Sequence, residues 1–235
     1  MSQPTARRFL DLSHVIRSGL VTYPGLPAPV IEPFLTREAS IAKYAPGTQF
    51  AMDTLTMIGN TGTYLDSPFH RYGDGADLAG LELDTLVELP TVTFHLDLAG
   101  RGDSDAAERS IPVSIFEGYD LSGTAVLLDT GWSRHFGEPA YAAGAPFLSG
   151  EGAAHLVEQG VALVGIDSLN IDDTETGGER PAHSLLLAAG IHVVEHLANL
   201  DGVPHTGSQL TAVPPRIEGF GTFPVRVYVK LPAQD

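Results

Sequence analysis

With 235 residues, 43% of them hydrophobic, the chain is long enough to bury a substantial core. Its 29 acidic against 13 basic residues give a formal charge of -16, a field that repels phosphates and excludes nucleic acid and anionic membranes as expected partners. The absence of cysteine excludes disulfides, thiolate zinc sites and a cysteine nucleophile, so any metal must be held by His, Asp or Glu.

In chain order, the opening "MSQPTARRFLDLSHV" lacks the apolar run of a secretion signal. No later segment approaches the ~18 apolar residues of a membrane span, and a cytoplasmic location is expected. Residues 9–16 ("FLDLSHVI"), 50–58 ("FAMDTLTMI") and 91–98 ("TVTFHLDL") alternate apolar and polar side chains and predict strands. "TAVLLDTGW" is a continuous apolar run suited to a strand covered on both faces. In "SGEGAAHLVEQG", Ser149 is placed to cap a helix and Gly160 to close it. "VALVGID" follows as a strand, "PAHSLLLAAG" as a short helix, and "IHVVEHL" and "PVRVYVKL" as further strands. This alternation predicts an α/β architecture with a mixed β-sheet, and without repeats or linkers a single domain over residues 1–235 is expected.

Chemistry concentrates in "GNTGTYLDSPFHRY", where Asp66 and His70 flank Pro68 in a turn expected to leave the strand at 50–58. An Asp capping a turn beside a surface His is the competing reading. Glu195 shares a strand face with Ile191, Val193 and Leu197, where an acid is costly to bury unless paired or metal-bound; an edge strand in water is the alternative. His183 opens a helix just after Pro181. Two acids and two histidines make a ligand set for Zn²⁺, Mn²⁺ or Fe²⁺. "GFGTFP" (219–224) lacks the third glycine of a dinucleotide fingerprint and reads as a turn.

"NTGTYLDSPFH" resembles the H-x-G-T-H-x-D-x-P-x-H signature of the cyclase family that includes bacterial kynurenine formamidase and isatin hydrolase. The likeness continues through "LLDTGW", "PFLSGEGAAHLVEQGVALVGIDSLNIDD", "PAHSLLLAAGIHVVEHLANL" and "GFGTFPVRVYV". The resemblance implies a swivelling β/β/α domain, a homodimer or homotetramer, and hydrolysis of an amide or lactone in a small aromatic or cyclic molecule by metal-activated water. In the family pattern one metal takes both signature histidines and the Asp, but here those histidines are Asn60 and Tyr64. The other cluster survives as Asp66, His70, His183 and Glu195, implying one Zn or Mn ion. His70, Tyr64, Glu195 and His183 are then the candidates for catalysis, with Asn60, Tyr23 and Trp132 for substrate binding; core packing is the competing reading of Tyr23 and Trp132. The altered positions motivate an alternative: a metal-free cyclase or dehydratase using Tyr64 with His70 and His183 for proton transfer. Arg226 is expected to pair an acid or meet a second subunit, and the polar segment 168–183 to be a solvated loop or a mobile cover over the site.

Overall fold

The computed structural model describes residues 8–98, 100 and 104–233; the remaining positions of the expected 1–235 domain lie outside the described residues. In chain order the strands are β1 (Phe9–Asp11), β2 (Val30–Leu35), β3 (Met52–Thr56), β4 (Tyr64–Asp66), β5 (Leu89–His95), β6 (Ser110–Ile111) and β7 (Ala125–Asp129). They continue as β8 (Phe147–Leu148), β9 (Leu163–Ile166), β10 (His192–Glu195), β11 (Thr206–Thr211), β12 (Thr222–Pro224) and β13 (Tyr228–Lys230). The α-helices are α1 (Arg37–Ser40), α2 (Ala106–Arg109), α3 (Gly150–Gln159) and α4 (Pro181–Ala188).

The continuous apolar runs at β7 and β9 become strands buried on both faces, as such runs require. With β5 and β10 they form the parallel centre of a nine-stranded sheet, ordered β1-β13-β11-β5-β7-β9-β10-β4-β12. The outer pairings are antiparallel. Alternation along each central strand sends side chains to opposite cores. Val126, Leu128 and Val193 join Leu156 and Leu186 of α3 and α4, while Leu127 and Val194 pack with Leu65 and Val229 on the other face. The mixed α/β architecture thus matches the expectation. Ser149 caps α3 by accepting from Gly152 N, and Gly160 closes it in the left-handed conformation at φ 70°.

Three expectations need correction. The strand at 50–58 forms as β3, but it pairs only with β2 in a separate ribbon, so all five of its residues are exposed and its alternation marks no buried face. The signature does not simply leave that strand: Tyr64–Asp66 is itself a fully buried strand of the main sheet, followed by a short 3-10 turn over Pro68–His70. "GFGTFP" supplies a turn and then the edge strand β12, paired to β4. No helix of the described residues is long and apolar enough to cross a membrane.

Candidate functional site

Strand register assembles the site. β10 places Glu195 opposite Tyr64, and β12 places Thr222 opposite Asp66, so four polar side chains share one face of three adjacent strands. β10 is interior, between β9 and β4, and Glu195 is only 1% exposed, which removes the edge-strand alternative. The Pro68–His70 turn then carries His70 back over Asp66. Gly221 permits that approach, because a Cβ there would lie 2.5 Å from His70 N.

His183 arrives from α4. Asp172 accepts from the backbone N–H of Ala182 (2.7 Å) and of His183 (3.0 Å), capping the helix, and also takes the His183 Nδ1 proton at 2.7 Å. Nε2 is therefore left facing the carboxylates, 3.5 Å from Asp66 Oδ2 and 3.6 Å from Glu195 Oε1. A matching arrangement fixes His70. Thr222 donates its hydroxyl proton to Asp66 Oδ1, so its oxygen accepts from His70 Nδ1 at 2.6 Å and His70 keeps its lone pair on Nε2.

Asp66, His70 and His183 each offer a ligand atom, all within 4.8 Å of one another. Asp66 Oδ2 is buried and makes no hydrogen bond; His183 Nε2 faces it at 3.5 Å, and a cation bound between them would satisfy both. Burial alone would depress His183, but the charges of Glu195 and Asp66 and the bond to Asp172 hold it up to about 10. The same negative field attracts a metal, and this His and carboxylate set fits Zn²⁺ or Mn²⁺.

Glu195 stands outside the three-residue group, unlike in the four-ligand set expected from the resemblance. Its oxygens are engaged: Tyr64 donates to Oε2 at 2.6 Å and Ile171 N–H to Oε1 at 2.6 Å. Burial pushes its carboxyl up to about 7 against the opposing charge of His183. Tyr64 is buried too, and burial together with the Glu195 and Asp66 charges raises its phenol well above 10, so it acts as a neutral donor. Behind it, Tyr141 O–H donates to His196 Nδ1 at 2.8 Å, leaving His196 Nε2–H to donate to the Tyr64 oxygen at 3.3 Å. Burial lowers His196 to about 3 and keeps it neutral.

A cavity of about 540 Å³ opens over this floor, lined by Tyr23, Asn60, Tyr64, His70, Arg71, Arg180, His183 and Glu195 among others. Of the predicted binding residues, Tyr23 and Asn60 are in its wall. Trp132 is not among the lining residues. It is 3% exposed, donates Nε1–H to Tyr141 O at 3.0 Å and packs with Tyr141, Ala145 and Leu169, so its place is in the aromatic core. Arg226 pairs Asp11 at 2.8 Å, as one of its two readings expects. The segment 168–183 borders the site: Ser168, Leu169 and Ile171 to Asp173 are buried, residues 175–179 are exposed, and Asn170, Gly178 and Arg180 line the cavity. Sequence reading missed Thr222, Asp172, Tyr141, His196 and Arg180; Asp172 lies nine residues before Pro181, behind three nearer acids, and nothing local links it to the helix start.

The family model described as "Putative cyclase" matches residues 10–173, more than half of the chain. The chain belongs to the cyclase family. Among curated relatives, kynurenine formamidase of Bacillus cytotoxicus is 29% identical over 226 residues, covering 96% of this chain and 98% of its own. That of Geobacillus thermodenitrificans is 31% identical over 179 residues, 75% of this chain and 78% of its own. In fold the chain is similar to isatin hydrolase A from Labrenzia aggregata bound to benzyl benzoate, with a TM-score of 0.79 at 23% identity over 97% of this chain and 94% of that one. A potential metal-dependent hydrolase with cyclase activity aligns with a TM-score of 0.73 at 24% identity, over 98% and 100% of the two chains.

Proposed function

We propose that the protein is a metal-dependent amide hydrolase acting on a small aromatic or cyclic molecule, with one Zn or Mn ion held by Asp66, His70 and His183. The observation that carries this is the grouping of Asp66, His70 and His183 ligand atoms within 4.8 Å, with Asp66 Oδ2 buried without a hydrogen bond and both histidine Nδ1 atoms already engaged. Relatives named kynurenine formamidase that align along nearly the whole chain support the reaction class. The same relatives give a metal-free cyclase or dehydratase no support.

A divalent cation, when bound, supplies Lewis acidity that eases deprotonation of water and polarises a carbonyl. The protein's own groups do the rest. Glu195 accepts the proton of water at Oε1 and returns it to the departing nitrogen, in keeping with its place in the cavity wall 3.6 Å from His183 Nε2. Tyr64 fixes the carboxylate through Oε2, and the neutral His196 and Tyr141 hold the phenol in place. Asp172 and Thr222 fix the ring faces that His183 and His70 present. Asn60 and Tyr23 orient the substrate from the wall.

The test is turnover of N-formyl arylamines and cyclic amides before and after chelation. Hydrolysis that chelator removes and added Zn²⁺ or Mn²⁺ restores is the expected outcome. Turnover indifferent to chelator would sink the reading, as would inactivity toward every amide at full metal loading.

A further inference from the structure

The cavity wall carries charge opposite to that of the chain. Against a formal -16, two arginines, Arg71 and Arg180, line one cavity. Neither is within ion-pairing distance of a carboxylate among the described residues, whereas Arg109 is paired with Glu175 at 2.9 Å and Arg226 with Asp11 at 2.8 Å. Other unpaired arginines exist on the surface, so position is what sets these two apart. The acid in the same wall, Glu195, is buried and held by Tyr64 and Ile171.

Both guanidinium groups belong to the start of α4. Arg180 is its N-cap residue, and Arg71 Nε reaches Ser184 Oγ, one turn along, at 3.4 Å. Arg180 Nη1 is anchored by the carbonyls of Asp173 (3.1 Å) and Glu179 (2.7 Å), which fixes the group while leaving its other N–H donors without an acid. The Arg71 guanidinium stacks on Tyr72 at 5.4 Å. The backbone N–H groups of Ala182 and His183 are already taken by Asp172, so anion recognition here falls to the two side chains.

We propose that Arg180 and Arg71 bind a carboxylate on the substrate, so that the site selects an anionic amide whose scissile bond lies toward Asp66, His70 and His183. This rests on the amide-hydrolase reading and names its substrate class. Guanidinium donors match carboxylate geometry and remain charged at any working pH. A volume of about 540 Å³ accommodates a one- or two-ring molecule that spans from the arginines to the metal-ligand corner. Water adds across the amide C–N bond, which breaks to leave a carboxylic acid and an amine, while the recognised carboxylate takes no part in the bond changes.

The test compares three probes on protein loaded with Zn²⁺ or Mn²⁺: N-formyl-2-aminobenzoate, its neutral analogue N-formyl-2-aminobenzamide, and formanilide. The carboxylate probe is expected to be favoured in kcat/KM by roughly 10- to 100-fold, mostly through KM, the scale of a charge-assisted hydrogen bond. Arg180→Gln and Arg71→Gln should each collapse that ratio toward one, and the remote Arg226→Gln should leave it intact. Equal use of the three probes by the wild type, or a ratio that survives both cavity variants, overturns the proposal. If none is hydrolysed, the amide-hydrolase reading fails, and calorimetric binding of 2-aminobenzoate against 2-aminobenzamide still judges the site. Carboxylate-selective binding lost in Arg180→Gln supports it. Binding that ignores the carboxylate, or persists in both variants, overturns it.

Discussion

The two corners of the cavity floor, both built on β4, differ in how much of their bonding capacity is used. At the Asp66 corner one carboxylate oxygen is buried without a hydrogen bond, and two histidines have Nδ1 engaged and Nε2 without a hydrogen bond to a protein acceptor. At the Tyr64 corner every group is satisfied, from Tyr141 through His196 and Tyr64 to Glu195. A corner with unused acceptors is built to receive a cation; one with a closed hydrogen-bond chain is built to hold a carboxylate still.

Breaking the first corner should have the largest effect. His183→Ala is expected to remove bound metal and with it the metal-dependent activity, read by metal content and turnover on the same preparation. Asp172→Asn spares the ligands but loosens the His183 ring and should weaken metal affinity by about 10- to 100-fold, measured by competition with a chelator. Tyr64→Phe probes the second corner. It leaves Glu195 Oε2 buried without its donor, so a stability loss of about 1–3 kcal/mol by urea unfolding is expected, with retained metal content and reduced kcat. Metal loss in that variant would show that the corners are not separable. Thr222→Val removes the hydroxyl shared by Asp66 and His70 and should cost about 1–2 kcal/mol of stability and a few-fold in metal affinity. Smallest for activity, Trp132→Phe should lower stability while leaving KM unchanged, because the indole packs behind Tyr141 and not in the cavity wall.

Much of this was legible in the sequence, for reasons that differ by element. The buried runs at β7 and β9, the Ser149 cap and Gly160 are local signals, and the structure keeps them. Asp66, His70 and His183 stood out because acids and histidines beside Pro68 and Pro181 are chemically conspicuous. Thr222 did not. It meets Asp66 across 156 positions only through the β12–β4 pairing, and a three-residue edge strand ending at Pro224 has no periodicity to detect. Trp132 shows the converse: an aromatic side chain is visible in sequence, but which side of Tyr141 it occupies is decided by packing. The alternation at 50–58 predicted a strand correctly but not its place in the fold, since alternation is silent about which partner the strand finds.

The central claim is a single cation at the Asp66 corner. The most direct test is metal content by inductively coupled plasma mass spectrometry, on protein purified without chelator or metal-binding tag, for the wild type and His183→Ala. About one equivalent of Zn or Mn in the wild type, and near none in the variant, is the predicted result. Two equivalents, or a content unchanged by removing His183, would contradict it.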